Sequence, residues 1–288
     1  LTNFKGYKQK AYFCQMKWFR ILFDFYLNAS IHVALVVFCF VEITEFYFGL
    51  PNNYSLNYFI FFGTITGYNF VKYAGVAKLH HRSLTTTLKA IQFFSFCCFL
   101  IMCYYGYLLS YQTLLFCIPF SAITILYAVP FLSGFQKNLR TFSYLKIIVV
   151  AFVWCGFTVL IPVFDAGKEM DSNVILSVIQ RFLIVVVLIL PFDIRDVQYD
   201  AISLQTIPKK IGIEKTKHLG LILMVISLVL EYFMVLQIHT KNSFLLFFFL
   251  VTIFLMRAKK EQSKYYSSFW VEMLPLLWWL LLLGFRNY

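Results

Sequence analysis

Three aspartates, Asp193, Asp196 and Asp200, stand directly after a membrane-length apolar run. Their spacing of three and four residues places them on one face if the preceding helix continues through them. Carboxylates on one face repel each other unless a cation lies among them, and a hard cation such as Mg²⁺ often joins such carboxylates to a phosphorylated substrate. The spacing therefore predicts a catalytic metal site, and a solvated acidic helix end is the alternative.

The composition defines the environment of these aspartates. Hydrophobic residues make up 61% of the chain and charged residues 13%, whereas soluble domains have about 45–50% and about 25%. This composition excludes a soluble globular protein. Because the apolar runs show no alternation with a period of two, helices are favoured over a β-barrel. We predict an all-α integral membrane protein with one domain over residues 1–288.

The apolar runs, compared with the roughly 20 residues that cross a bilayer, predict nine transmembrane helices arranged as a bundle around a central cavity. The predicted spans cover residues 20–41, 56–77, 88–109, 112–132, 144–164, 174–192, 217–238, 243–256 and 269–285.

The basic residues predict the orientation of these spans. With nine spans, 21 of the 25 lysines and arginines fall on one side of the membrane, and such residues concentrate on the cytoplasmic side. This pattern predicts a cytoplasmic N-terminus, a cytoplasmic aspartate cluster and a multi-pass protein of the cytoplasmic (inner) membrane. It also accounts for the net charge of +12 without a nucleic-acid partner, and the positive face suits anionic lipid.

Arg181 and Glu231 are charged residues inside predicted spans. A charge within the membrane costs several kcal/mol unless it is paired, so such residues are functional candidates by default. We expect both to face the bundle interior, hydrogen-bonded to each other or to polar neighbours, and a structural pair is the alternative. Asp24, near the start of the first span, is expected at the membrane interface.

The segment that follows the apolar run resembles a known motif. Asp193-Ile-Arg-Asp-Val-Gln-Tyr-Asp200, followed by Gln205-Thr-Ile-Pro-Lys-Lys-Ile-Gly212, resembles the second aspartate-rich motif of the UbiA superfamily of intramembrane prenyltransferases. The segment Leu126-Tyr-Ala-Val-Pro130 is similar to another recurrent part of that family. The Ile-Arg-Asp core is closest to the naphthoate-type quinone prenyltransferases.

The resemblance implies a reaction in isoprenoid, quinone or lipid metabolism. A polyprenyl diphosphate is ionised with Mg²⁺ on the departing diphosphate, and an acceptor attacks the allylic cation within the bundle. By the same resemblance, the three aspartates are the catalytic residues and metal ligands. Arg195 and Lys209 or Lys210 would help to neutralise the diphosphate.

The first aspartate-rich motif of the family, at the end of the second span, is degenerate in this chain. Asn69 is retained, but Phe70, Tyr73 and Ala77 stand at the three aspartate positions. Arg82 falls where the family often has a basic residue. Half of the expected metal cage is therefore missing.

Two interpretations of this loss remain open. In one, Asn69 remains at the diphosphate site and basic residues near it, Lys72 and Arg82 together with Lys78, bind the phosphate directly. In the other, Lys72 forms an ion pair with Asp193 or Asp196.

Two functions follow from these interpretations. One is a divergent prenyltransferase. The other is a non-catalytic binder of an isoprenoid, quinone or lipid, or a membrane subunit for a protein partner. Both predict that Asn69 and Asp196 face the same cavity. A transporter is a weaker third possibility, because no inverted repeat is evident.

Overall fold

The computed structural model describes residues 18–73, 86–128, 143–198 and 206–286, and every regular element in these ranges is helical. The sequence predictions that concern Ala77, Lys78, Arg82 and Asp200 fall outside the described residues.

Twelve helices and two π-helical segments make up the described chain. The helices are α1 (18–28), α2 (Ile31–Phe48), α3 (Tyr54–Tyr73), α4 (Thr86–Tyr107), α5 (Tyr111–Ala128), α6 (Ser143–Cys155), α7 (Ile161–Asp165), α8 (Ser172–Asp196), α9 (Ile207–Ile211), α10 (Ile213–Phe233), α11 (Ile238–Arg257) and α12 (Leu274–Arg286). The π segments are Gly156–Leu160, between α6 and α7, and Tyr266–Val271, before α12.

Seven of the described helical stretches are long and apolar enough to cross a membrane. They are Ile31–Phe48, Thr86–Tyr107, Lys146–Asp165, Ser172–Asp196, Ile213–Phe233, Ile238–Arg257 and Tyr266–Phe285. Helices α3 and α5 occupy the other two predicted positions but fall short in apolar character or length. The all-helical, multi-pass architecture is confirmed, and nine crossings remain a prediction.

The first predicted span, 20–41, is not one continuous helix. The chain breaks at Ala29 and Ser30, and Ser30 has a left-handed backbone with φ 60°. This conformation is unfavourable for a residue with a Cβ. The prediction was wrong here because the sequence has no glycine or proline at the break, and the hydrogen bonds that hold it come from α3.

The helices follow one another around a closed ring. The order of packed neighbours is α2, α3, α5, α6, α8, α10, α11 and α12, and α12 returns to α2. Helix α4 lies outside this ring and packs on α3. Between α11 and α12 the core is aromatic: the fully buried Trp278 stacks on Phe247 at 4.6 Å and meets Phe244 edge-on at 5.2 Å.

Candidate functional site

The end of α8 carries two of the predicted aspartates. The helix continues past Pro191 to Asp196, so Asp193 and Asp196 lie three residues apart on one helix, as the sequence predicted. We call this end of the bundle the aspartate end. Asp193 is only 2% exposed. Because a buried carboxylate is unfavourable unless it is paired, we expect a cationic partner beside it.

Each of these aspartates has a basic partner. Lys146 Nζ of α6 lies 3.5 Å from Asp193 Oδ1, and Arg195 Nε donates to Asp196 Oδ1 at 2.8 Å. We expected a cation from Lys72 or Arg82, with Arg195 as a competitor. Lys146 was not considered for this role, because nothing in the sequence indicates that the start of α6 approaches the end of α8.

Asn69, near the end of α3, forms hydrogen bonds with the residues at the break between α1 and α2. The Asn69 amide nitrogen donates to Ala29 O at 2.9 Å and to Ser95 Oγ at 2.7 Å, and Ser30 Oγ donates to Asn69 Oδ1 at 2.8 Å. Asn69 is 3% exposed. Its amide is therefore engaged within the protein.

Lys72 and Tyr73 also form hydrogen bonds with residues at this break. Lys72 Nζ lies 3.5 Å from Leu27 O, 3.4 Å from Asn28 O and 3.3 Å from Ser30 Oγ. The Tyr73 hydroxyl donates to Asn28 O at 3.1 Å. A cation at a helix C-terminus compensates the free carbonyl groups there. Lys72 therefore caps α1 and does not form the expected pair with Asp193 or Asp196.

One functional candidate escaped the sequence analysis. Glu272 directly follows the second π segment, and its charge interacts with the charges of Lys72 and Arg195. A lone glutamate in an apolar run was the only available signal, and the same reasoning that selected Arg181 and Glu231 would have found it.

The expectation that Asn69 and Asp196 face one cavity stays a prediction. The buried amide of Asn69 donates to Ala29 O and to Ser95 Oγ, so it is engaged by the break before α2 and by α4.

The segment after α8 contains the predicted Lys209. Lys209 lies in the short helix α9, which starts after the buried Thr206 and ends at Gly212. Gly212 has φ 86°, a conformation that favours glycine, and its N–H donates to Pro208 O. The Thr-Ile-Pro-Lys-Lys-Ile-Gly stretch thus forms a tight turn between α8 and α10.

A Mg²⁺ ion needs several oxygen ligands in near-octahedral geometry. Among the described residues, no group of three acidic, histidine or cysteine side chains is arranged to hold a metal. Asp193 and Asp196 are each paired with a cation, and α3 offers Phe70 and Tyr73 in place of carboxylates. The donor set of the described chain therefore does not fit Mg²⁺.

An apolar cavity of about 300 Å³ lies between α3, α4, α5 and α6. Aromatic and aliphatic side chains line it, together with Thr64, Thr66, Ser121 and Thr124. Phe99 of α4 and Ile125 of α5 line the cavity and are 41% and 51% exposed. These exposures indicate an opening between α4 and α5, towards the bilayer.

A polar pair marks one side of this cavity. Trp154 Nε1 donates to the Tyr68 hydroxyl at 2.8 Å, and both residues line the cavity. This bond joins α3 to α6 beside the cavity.

The two charged residues inside spans are buried, as expected, and do not pair with each other. Arg181 Nη1 donates to Phe40 O at 2.9 Å and to Thr158 Oγ1 at 3.1 Å. Glu231 accepts from the Tyr47 hydroxyl at 2.9 Å and from Gln180 Nε2 at 2.8 Å. These contacts join α2, α8, α10 and the first π segment, so both residues have a structural role.

Asp24 of α1, which the sequence predicts at the membrane interface, accepts from Lys264 Nζ at 2.7 Å and from the Tyr265 hydroxyl at 2.9 Å. The hydrogen bond from Lys264 lowers the pKa of Asp24 below its ordinary value of 3.8. The same bond raises the pKa of Lys264. This contact fixes α1 to the segment before α12.

The fold is that of the UbiA-type intramembrane prenyltransferases, and this confirms the resemblance drawn from the sequence. A UbiA homolog from Archaeoglobus fulgidus, solved bound to DMAPP and Mg²⁺, matches with a TM-score of 0.58 and 12% identity, over 91% of this chain and 99% of that one. A structure of digeranylgeranylglyceryl phosphate synthase matches with a TM-score of 0.54 and 14% identity, over 92% and 97%. No protein-family model and no curated protein matches the sequence.

Proposed function

We propose that the protein binds an isoprenoid or a similar long-tailed lipid in its lateral cavity and does not catalyse metal-dependent prenyl transfer. The observation that carries this proposal is the pairing at the aspartate end. Asp193 and Asp196 have Lys146 and Arg195 as partners. A metal ligand must offer its lone pairs to the metal, whereas these carboxylates share theirs with side-chain cations.

The degenerate first motif supports the same proposal. In a transferase this region would hold the metal. Here Asn69, Lys72 and Tyr73 hold the break between α1 and α2. These side chains stabilise the fold through bonds that a diphosphate would have to displace.

The cavity supplies the binding surface for an apolar tail. Burial of apolar area stabilises a complex by about 25 cal/mol per Å², and a site of this size suits part of a prenyl chain. The opening between Phe99 and Ile125 gives a route from the bilayer. A lipid ligand would therefore enter without crossing water.

The orientation of the protein in the membrane is also part of the proposal. With 21 of the 25 basic residues on one side, the aspartate end faces the cytoplasm and the protein lies in the cytoplasmic membrane. The lipid headgroup would then lie at the level of the inner leaflet.

A Mg²⁺-dependent transferase is the second candidate, and one observation favours it. Asp193 and Asp196 lie three residues apart at the end of a long helix, and a neighbour of the same fold was solved with DMAPP and Mg²⁺. For this chain to bind the metal, the Asp193–Lys146 and Asp196–Arg195 pairs would have to open.

The test combines diphosphate release with thermal unfolding in one detergent, using geranylgeraniol and geranylgeranyl diphosphate with Mg²⁺. We expect no diphosphate release, with or without an aromatic acceptor. We expect geranylgeraniol to stabilise the protein by about 2.7 kcal/mol at a hundred times its Kd, because it binds only the folded state. Release by the wild type that is lost in Asp196→Ala would establish the transferase.

Two glycine variants locate the ligand. Gly67 lines the cavity, and a Cβ added there would meet no atom within 4 Å; a Cβ at Gly284, outside the cavity, has the same free space. We expect Gly67→Phe to fold and to lose the stabilisation by geranylgeraniol, and Gly284→Phe to retain it. Equal stabilisation of both variants would show that the ligand binds elsewhere.

A further inference from the structure

We infer that a second, polar cavity, at the end of the bundle opposite the aspartate end, binds a primary ammonium group. This cavity has a volume of about 240 Å³ and lies between the end of α2, the start of α3 and the end of α7. Lys146, which contacts Asp193, and Asp165, which lines the polar cavity, stand at the two ends of one helical stretch of 20 residues. Such a stretch is about 30 Å long, and the two cavities share no lining residue.

Carboxylates gather around the polar cavity. Glu45 of α2, which is only 4% exposed, and Asp165, which is partly buried, line it. Glu42 lies one helical turn before Glu45, and Asn57 Nδ2 donates to Glu42 Oε1 at 3.1 Å and to Glu45 Oε2 at 3.2 Å. Within the described ranges, none of the three carboxylates has a basic side chain at ion-pair distance. Because buried carboxylates are unfavourable without a compensating charge, this group favours a cationic ligand.

Hydrogen bonding in this group is also unbalanced. Asn57 is fully buried, and its Nδ2 atom serves both glutamates, whereas its Oδ1 atom has no hydrogen-bond partner in the described part of the chain. A buried acceptor without a donor is unfavourable. Acceptors therefore outnumber donors beside Glu45, so a ligand with several donors and a positive charge would compensate both the charge and the missing hydrogen bonds.

A primary ammonium group fits these requirements better than a metal ion does. It carries one positive charge and three N–H donors and has no acceptor. The described residues contain no group of three acidic, histidine or cysteine side chains that is arranged to hold a metal. The cavity is also much larger than the share of one water molecule, about 30 Å³. The rest of its wall includes apolar residues that suit a short carbon chain, Leu50, Pro51, Leu56 and Pro162.

The lysine nearest in sequence to Asp165 is engaged elsewhere. Lys168 Nζ lies 3.5 Å from Asp171 Oδ2 and 5.7 Å from the centre of the Phe48 ring. Asn52, by contrast, is an exposed residue of the cavity wall. A small amine can therefore enter from the solvent without displacing a described ion pair.

The test measures the binding of propylammonium chloride to the full chain in detergent, at about pH 8, where a primary amine is protonated. Isothermal titration gives the affinity. Tetramethylammonium chloride has the same charge but no N–H donor, and calcium chloride tests for a metal site. We expect propylammonium to bind at least about tenfold more tightly than tetramethylammonium, because only propylammonium donates hydrogen bonds to charged acceptors. If neither ammonium salt binds, or if calcium binds and propylammonium does not, the inference is wrong.

Glu45→Gln tests the carboxylate that is buried in the cavity wall. The variant removes the charge and keeps an oxygen that can accept from Asn57, so we expect propylammonium binding to weaken at least about tenfold. Glu169→Gln, at an exposed position of the same end, is the matched control and should bind like the wild type. Equal affinities of Glu45→Gln and the wild type would overturn the inference.

Asn52→Lys gives an independent test in case Glu45→Gln does not fold. Asn52 is exposed, so the position tolerates a longer side chain. The new lysine would bring an ammonium group of the chain itself to the cavity. We expect a higher unfolding temperature than that of the wild type, and propylammonium binding at least about tenfold weaker. Wild-type affinity in this variant would contradict the inference.

Two sources can supply the ammonium group, a soluble amine and the head group of an ethanolamine lipid. Nanodiscs of phosphatidylethanolamine and of phosphatidylcholine distinguish them, because only the first lipid carries a primary ammonium group. Weaker propylammonium binding in phosphatidylethanolamine would support the site and identify the lipid as the source. Equal affinity in both would support the site and identify a soluble amine, and no binding in either would overturn the inference.

Discussion

Helices α8 and α4 are both long enough to cross a membrane, yet the protein uses them in opposite ways. In the most apolar stretch of α8, 61% of the residues are buried, compared with 11% in α4. Helix α8 packs against α6, α10 and α11, whereas α4 packs on α3 outside the ring. One helix organises the bundle, and the other forms an outer wall of the cavity.

The two helices also differ in where their polar residues lie. Helix α8 has a mean hydropathy of 2.6 in that stretch and α4 of 1.6, but α8 carries the buried polar residues Gln180, Arg181 and Asp193. Exposed aromatic residues such as Phe93 and Tyr104 face outward from α4. The polar groups of α8 fix neighbouring helices, and the apolar surface of α4 suits lipid.

The largest expected effect tests the buried polar contacts of α8. Arg181→Met removes the donor that satisfies Phe40 O and Thr158 Oγ1 in the bundle interior. We expect a loss of about 2–6 kcal/mol in the free energy of unfolding, because two buried acceptors lose a hydrogen-bond donor at about 1–3 kcal/mol each. Thermal or chemical unfolding in detergent measures it, and Arg257→Met, at an exposed helix end, is the control. A loss below about 1 kcal/mol would contradict the structural role of Arg181.

A pair of glycines compares packing directly in the two regions. A Cβ at Gly220 would come within 2.5 Å of Leu255 Cδ2 and 2.9 Å of Leu190 Cδ1, whereas one at Gly63 meets only the flexible Met102, at 3.3 Å from Sδ. We expect Gly220→Ala to destabilise the protein by about 1–3 kcal/mol through overpacking. Gly63→Ala should be neutral or stabilise it by up to about 1 kcal/mol, because alanine favours the helix. Similar unfolding free energies for the two variants would refute the difference in packing.

The smallest expected effect concerns the interfacial contact of α1. The pKa of Asp24 is lower in the folded protein than its ordinary value of 3.8. Its contribution is therefore fully present above pH 3.8 and is lost as the pH falls through the folded value. Because Lys264 is 59% exposed, we expect Asp24→Asn to cost only about 0.2–1 kcal/mol at pH 7. Unfolding at pH 7 and below pH 3 should show this difference disappear at low pH, and a constant difference would contradict it.

Much of the fold could be predicted because helix length and apolar character are local properties. The eighth span, predicted as 243–256, is longer in the structure, Ile238–Arg257. Pro191 did not end α8, and Asp193 and Asp196 are helical as the spacing suggested. The break at Ser30 was missed because Asn69, from α3, determines it.

Less of the candidate site could be predicted, because its partners come from distant parts of the chain. Lys146 and Asp193 lie 47 residues apart, and Lys72 and Ser30 lie 42 apart. The sequence showed which carboxylates were missing from the first motif, but it did not show which contacts its remaining residues make. That information depends on how the helices pack.

The π segment Gly156–Leu160 has a consequence for the whole helical stretch Lys146–Asp165. A π turn is an α-helix with one residue inserted, and one residue turns a helix by about 100°. At one end of this stretch Lys146 faces Asp193, and at the other end Asp165 accepts hydrogen bonds from Asn53 and Thr113. The inserted residue therefore determines how far the two ends are rotated relative to each other about the helix axis. Deletion of a single residue here would rotate the two ends relative to each other by about 100°. Lys146 and Asp165 could then not both keep their partners, so one deletion would affect the contacts at both ends of the stretch.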